Sequence, residues 1–130
     1  MEDPTLKEVK SLNVLGQPLT CCSCEPLTGW YRDGYCKTDV FDHGQHTVCC
    51  IVSNQFLRYS KAQGNDLITP VPEYGFKGLQ EGDNWCLCAT RWKEAYQDGF
   101  APLLRLEATE ISALKVIGLE LLMQYAYKEI

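Results

Sequence analysis

At 130 residues the chain has the length of one domain, and a domain of that size buries roughly two-thirds of its unfolded surface without needing cross-links to fold. Its 45% hydrophobic and 22% charged residues are those of an ordinary globular protein. A formal net charge of −5 with no Lys/Arg cluster argues against nucleic-acid binding, and no apolar stretch approaches the ~20 residues of a membrane span.

Residues 1–11 are polar and acidic and predict a flexible arm ahead of a single globular domain over 12–130. This start lacks the basic opening and apolar core of a signal peptide, so the expected location is cytoplasmic, with thiols reduced. Pro18, Pro26, Gly29, Gly34 and Gly44 break up residues 12–45 into loops with short strands. The β-branched and apolar run 47–52 predicts a buried strand. Ser53 then caps a helix to about Ala62, with Phe56, Leu57 and Ser60 inward and Gly64 as a left-handed stop. Pro70, Pro72, Gly75, Gly78 and Gly82 leave residues 64–83 without a regular element, and a loop this long reads as a lid or pocket wall.

Residues 84–89 predict a strand. Thr90 is placed to cap a short helix with Trp92, Ala95 and Tyr96 on one face, stopped by Gly99. A further strand follows Pro102 over 103–106, and residues 113–117 carry no clear period. Gly118 opens a C-terminal helix whose Leu119, Leu122, Met123 and Ala126 form a stripe for the core or for a dimer face, so the chain is expected as a monomer or homodimer. Glu120 and Lys128 suit that helix's dipole. Strands and helices mix without a βαβ repeat. The fold class is therefore α+β, a single compact domain with a small mixed or antiparallel sheet, long loops and a C-terminal helix.

There are eight cysteines: Cys21, Cys22, Cys24, Cys36, Cys49, Cys50, Cys86 and Cys88. The adjacent pairs 21–22 and 49–50 fit a disulfide framework poorly, because neighbouring strand residues face opposite sides. Their plainest role is that of small buried hydrophobes. Cys86 and Cys88, two apart on one strand, share a face and can converge on one point.

Several ordered motifs stand out. Asn13-Val14-Leu15-Gly16-x-Pro18-Leu19 is followed by Cys22-Ser23 and Thr28-Gly29. Then come Arg32-Asp33-Gly34-x-Cys36-x-Thr38, Asp42-x-Gly44-x-His46-x-Val48-Cys49 and Phe56-Leu57. GNDLITP at 64–70, Gly82-Asp83, WCLCATRW at 85–92 and Ala101-Pro102 complete the set. From about residue 13 to 127 the chain resembles the domain of unknown function 2237 family of small, mostly bacterial proteins. The family carries no established activity to transfer. The resemblance does place Cys22, Cys36, Cys49, Cys86 and Cys88 on family positions and leaves Cys21, Cys24 and Cys50 as additions. Where the family typically reads Ala-Thr-His, this chain has Ala108-Thr109-Glu110, so either Glu110 replaces that histidine as a ligand or base or the position is not essential.

Three chemistries fit these residues. The first is a small-molecule pocket, with or without catalysis, built from segments 30–46, 64–83 and 85–92. Its ligand-binding candidates are Arg32, Asp33, Asn65, Asp66, Trp85 and Arg91. Asp42 or Asp66 with His46 would act as base or orienter, and Cys88 would be a thiol catalyst. The second is a zinc or copper site drawn from Cys36, His46, Cys49, Cys86 and Cys88. Thiol redox chemistry at Cys88, close to a helix start and to Arg91, belongs with it. The third is a scaffold without a ligand, in which Asp33-Gly34 and Asn65-Asp66 serve turns and Trp85 and Trp92 serve the core.

Overall fold

In the computed structural model, residues 11–39, 41–43 and 45–128 are described; the predicted arm lies outside them except for Ser11. The β-branched run forms the central strand β1 (Val48–Ile51), flanked by β2 (Asn84–Leu87) and β3 (Leu103–Leu104) in the order β2-β1-β3. Both pairings are antiparallel, which decides the predicted choice between a mixed and an antiparallel sheet. Val48 and Cys50 pair with Leu87 and Trp85 and face the main core. Cys49 pairs with Cys86, and both face the opposite side, where Cys22, Cys36 and Ala108 are buried with them. The two-residue period of a strand thus sorts the sheet into an apolar face and a sulfur-bearing face.

Helix α1 (Asn54–Ala62) begins as its sequence predicts: Ser53 Oγ accepts the Phe56 amide at 3.1 Å, and Phe56, Leu57 and Ser60 are buried. Helix α2 (Ala89–Gln97) starts two residues earlier than Thr90 capping would allow. β2 ends at Leu87, and Cys88 takes the N-cap position itself. Trp92 and Ala95 are buried, and the Trp92 indole donates to the Pro102 carbonyl at 3.0 Å, which fits its predicted core role. Tyr96 stacks on Trp92 but stays 39% exposed.

The C-terminal helix α3 is short (Leu119–Gln124), and the predicted stripe does not hold together. Only Leu122 is buried in it, while Leu119 and Met123 are exposed. With so few turns, Ala126 falls beyond the helix and instead bridges Leu104. β3 is shorter than the predicted 103–106 strand: the Arg105 amide still donates to the Cys49 carbonyl in register, but the chain then enters a 3-10 turn at Leu106–Ala108. Another covers Ile111–Lys115. Loop 64–83 holds one 3-10 turn, Pro72–Tyr74, clasped by a Val71–Phe76 bridge. Among the described residues no helix is long and apolar enough to cross a membrane.

Candidate active site

The loop that enters β1 carries a buried carboxylate. Asp42 is 2% exposed, and a lone buried charge of this kind is costly unless hydrogen-bonded. It is fully supplied. Its Oδ2 accepts the Thr38 hydroxyl at 3.0 Å and the His46 amide at 2.9 Å, and its Oδ1 lies 2.7 Å from His46 Nδ1. That leaves the far side of the imidazole free to point away, and His46 Nε2 lies 3.3 Å from Cys88 Sγ. Asp42, His46 and Cys88 therefore form one continuous hydrogen-bonded line. A carboxylate on Nδ1 favours the tautomer with its proton there, so Nε2 is left to accept the thiol proton.

Local backbone geometry holds the line in place. Gln45 adopts φ 52°, in the left-handed region that non-glycine residues avoid. Its carbonyl receives both the Thr47 amide and the Ala89 amide, and so pins the loop before His46 to the first turn of α2. The other non-glycine residue with positive φ is Arg32, at 53°. Arg32 lies over the Trp85 ring, 5.3 Å from its centroid, and Trp30 stacks on His46. Arg32 itself and His46, the residue after Gln45, line one open cleft of about 460 Å³ together with Trp30 and Tyr74. Backbone strain of this kind persists where surrounding contacts enforce it, and it concentrates at working sites.

Cys88 is half-buried at the N-cap of the nine-residue helix α2. Burial pushes its thiol up from the usual value and the Asp42 charge adds to that, while Arg91 opposes. At rest the sulfur therefore keeps its proton, and a thiolate must be made by transfer to His46. The Thr90 and Arg91 amides of the first turn have no hydrogen-bond acceptor among the described residues. They and the helix dipole offer positive potential beside the sulfur.

The other cysteines divide sharply, and the expectation of reduced thiols is corrected for four of them. Cys22 is bonded to Cys49 and Cys36 to Cys86. The adjacency of Cys49 and Cys50 does not oppose these bridges, because the opposite-facing rule that forbids a bond between neighbours sends Cys49 to the sulfur face and Cys50 to the core. Cys50 is fully buried, its thiol is pushed up to about 12, and it is inert. The five candidate metal ligands thus separate: Cys36, Cys49 and Cys86 lie in the disulfide cluster, whereas His46 and Cys88 lie in the hydrogen-bonded line. Cys21 and Cys24 are exposed free thiols 3.6 Å apart.

The polar candidates meet mostly structural tasks. Asp33 accepts the Tyr35 amide and pairs with Lys37. Trp85 is buried between Arg32 and Phe76. Arg91 donates to the Gln63 carbonyl and pairs with Glu94, bracing α2 against the end of α1. The Asn65 backbone exchanges bonds with Ser60. Glu110 caps the turn at Ile111–Lys115 by accepting from Ser112, and no contact joins it to Cys88 or His46.

Asp66 accepts the Ile68 and Thr69 amides, and the Thr69 hydroxyl with those amides lowers its carboxyl to about 2. A depressed folded-state value means its stabilisation is present above the unfolded value near 3.8 and is lost as pH falls towards 2. Asp66→Asn should flatten the acid limb of the stability curve in that window and leave Cys88 reactivity unchanged. Thermal melts between pH 4 and 2, paired with a thiol-labelling rate at neutral pH, test this. A loss of labelling would place Asp66 in the site.

Thr38, Trp30, Gln45 and Tyr74 lie in the expected pocket segments 30–46 and 64–83, but the sequence does not single them out. Their role depends on loops folding back, and no spacing marks it. Two comparisons bear on kinship. The family model described as "Uncharacterized protein conserved in bacteria (DUF2237)" matches residues 12–126. Comparison with curated proteins found no match.

Proposed function

Because the chain belongs to the DUF2237 family, whose description names no activity, we propose from the geometry of its site that it is a cysteine-dependent acyl-transfer enzyme acting on a small substrate. The observation that carries this reading is the unbroken line from Asp42 Oδ1 through the His46 ring to Cys88 Sγ, at 2.7 and 3.3 Å. A nucleophile, a base in contact with it and a buried group orienting the base are the parts that covalent catalysis requires.

Each part has a role in the step. His46 Nε2 takes the Cys88 proton as the sulfur attacks the acyl carbon of an ester, thioester or amide. A carbon–sulfur bond forms, the bond to the leaving group breaks, and His46 returns the proton to that group. Water then attacks the thioester with His46 again as base, releasing the acid and restoring the thiol. Asp42 stabilises the imidazolium formed in between. The first-turn amides of α2, next to Cys88 in the chain, would serve as donors to the negative charge that the carbonyl oxygen gains. Trp30 and Tyr74 give the cleft aromatic walls and Arg32 gives it a cation, which suits a small acyl donor with a planar or anionic portion.

An activated ester such as p-nitrophenyl acetate is the probe. Intact-mass and peptide mapping after rapid quench should find an acetyl group on Cys88, formed faster than on Cys21 or Cys24 despite their greater exposure. Cys88→Ser should remove that adduct without unfolding the protein. Acetylation confined to Cys21 and Cys24 would refute the reading.

A further inference from the structure

We infer that the four sulfurs of Cys22, Cys36, Cys49 and Cys86 form a redox-gated zinc site: bonded as two disulfides in the oxidised protein, they hold one Zn²⁺ when reduced. The inference is independent of the acyl-transfer reading and uses none of its residues.

The two bridges are not scattered over the fold. Cys22, Cys36 and Cys49 have their sulfurs within 4.8 Å of one another, and the Cys86 sulfur is bonded to that of Cys36. All four residues are at most 5% exposed, in one cluster closed by Ala108. Four thiolates in a compact buried quartet are the donor set that zinc favours for closed tetrahedral sites. Copper(I) takes fewer soft ligands and has less use for a fourth.

Size decides whether the quartet can open far enough. With Zn–S near 2.3 Å, tetrahedral sulfurs lie about 3.8 Å apart. The bonded pairs stand at 2.08 and 2.03 Å, so each sulfur must retreat by only about 0.9 Å. The three sulfurs of Cys22, Cys36 and Cys49, already within 4.8 Å of one another, need no large movement, whereas the Cys86 sulfur lies outside that trio and must swing towards it as its bond to Cys36 opens. Cys49 and Cys86 are register partners on β1 and β2 and form a rigid half of the site. Cys22 and Cys36 come from loops, where side-chain rotation meets less resistance.

The chemistry balances. A dithiol reductant supplies two electrons and two protons to each bridge and is itself oxidised to a disulfide, giving four thiols here. Zn²⁺ entry then displaces their protons to solvent, leaving four thiolates on the ion. The metal would replace the disulfides as the clasp between β1, β2 and the two loops.

The test uses the full chain carrying Cys21→Ser, Cys24→Ser and Cys88→Ser, which removes the thiols most able to mimic the site. After reduction with a metal-free phosphine under anaerobic conditions, it is titrated with Co²⁺ and then with Zn²⁺. The expected result is one Co²⁺ per chain, with thiolate charge-transfer and tetrahedral d–d bands that Zn²⁺ abolishes; the unreduced protein should show neither. A reduced protein that takes up no ion overturns the proposal.

A second measurement on the unmodified chain covers any fault of the variant. With zinc present, alkylation of the reduced protein should spare the quartet and label Cys21, Cys24 and Cys88. Equal labelling of the quartet with and without zinc overturns the proposal, and so does protection confined to Cys21 and Cys24.

Discussion

Replacing His46 with Ala should slow acylation of Cys88 by about 10²- to 10⁴-fold, the usual worth of a positioned general base. Burial and the Asp42 charge hold the thiol protonated at neutral pH, so without a base touching the sulfur the reactive form is rare. Asp42→Asn should fall in the same direction. The neutral amide neither fixes the imidazole tautomer nor stabilises its cation, although it nearly keeps the shape of the carboxylate. Asp42→Ala is the poorer probe, because it strands the Thr38 hydroxyl and the His46 amide in a buried place, and the fold itself would suffer. The measurement is the rate of ester-dependent acyl-adduct formation on Cys88, beside a thermal melt for each variant. A folded His46→Ala protein reacting at the parent rate would remove the catalytic reading.

Cys36→Ser with Cys86→Ser should cost about 4 kcal/mol in metal-free oxidised samples, because the bridge closes a loop of 50 residues in the unfolded chain. For a domain of this size that lowers Tm by on the order of 10–20 °C. The site should also lose activity well below the new Tm, since this bridge does more than stabilise. Cys36 lies two residues before Thr38, which holds Asp42, and Cys86 lies two residues before Cys88. The bridge thus ties the strand that leads into the proposed nucleophile to the loop bearing its base and orienter. Cys22→Ser with Cys49→Ser is the comparison: its loop of 27 residues predicts a similar cost of about 3.5 kcal/mol, but it joins no part of the line. Equal rate losses in the two double variants, at matched distance below Tm, would show that the first bridge has no positioning role. Circular dichroism melts with acylation rates supply both numbers.

Local signals are legible in the sequence where the physics is local. Ser53 capping α1 is a contact across three residues, and Phe56, Leu57 and Ser60 fall inward by helical period alone. Prolines and glycines mark the long loop as irregular, and it holds only the 3-10 turn Pro72–Tyr74, whose Tyr74 borders the cleft. The start of α2 shows the limit. Thr90 is the better cap by type, yet Cys88 occupies the position, because the Ala89 amide is claimed by Gln45 from a distant loop. The C-terminal stripe failed for a similar reason: Ala126 leaves the helix to meet Leu104 on β3.

Asp42, His46 and Cys88 were each legible as reactive types in family motifs, but not as a unit, since 42 positions separate the histidine from the thiol. By itself the sequence determined the α+β class, the central strand, the first helix and the family, because composition, period and capping act within a few residues. Only the tertiary structure decided which thiols are bonded, which thiol meets the histidine, and that Asp66 and Glu110 serve turns. Those outcomes depend on antiparallel register and on loops returning to the sheet, where a shift of one residue would turn Cys49 to the core and Cys50 to the sulfur cluster.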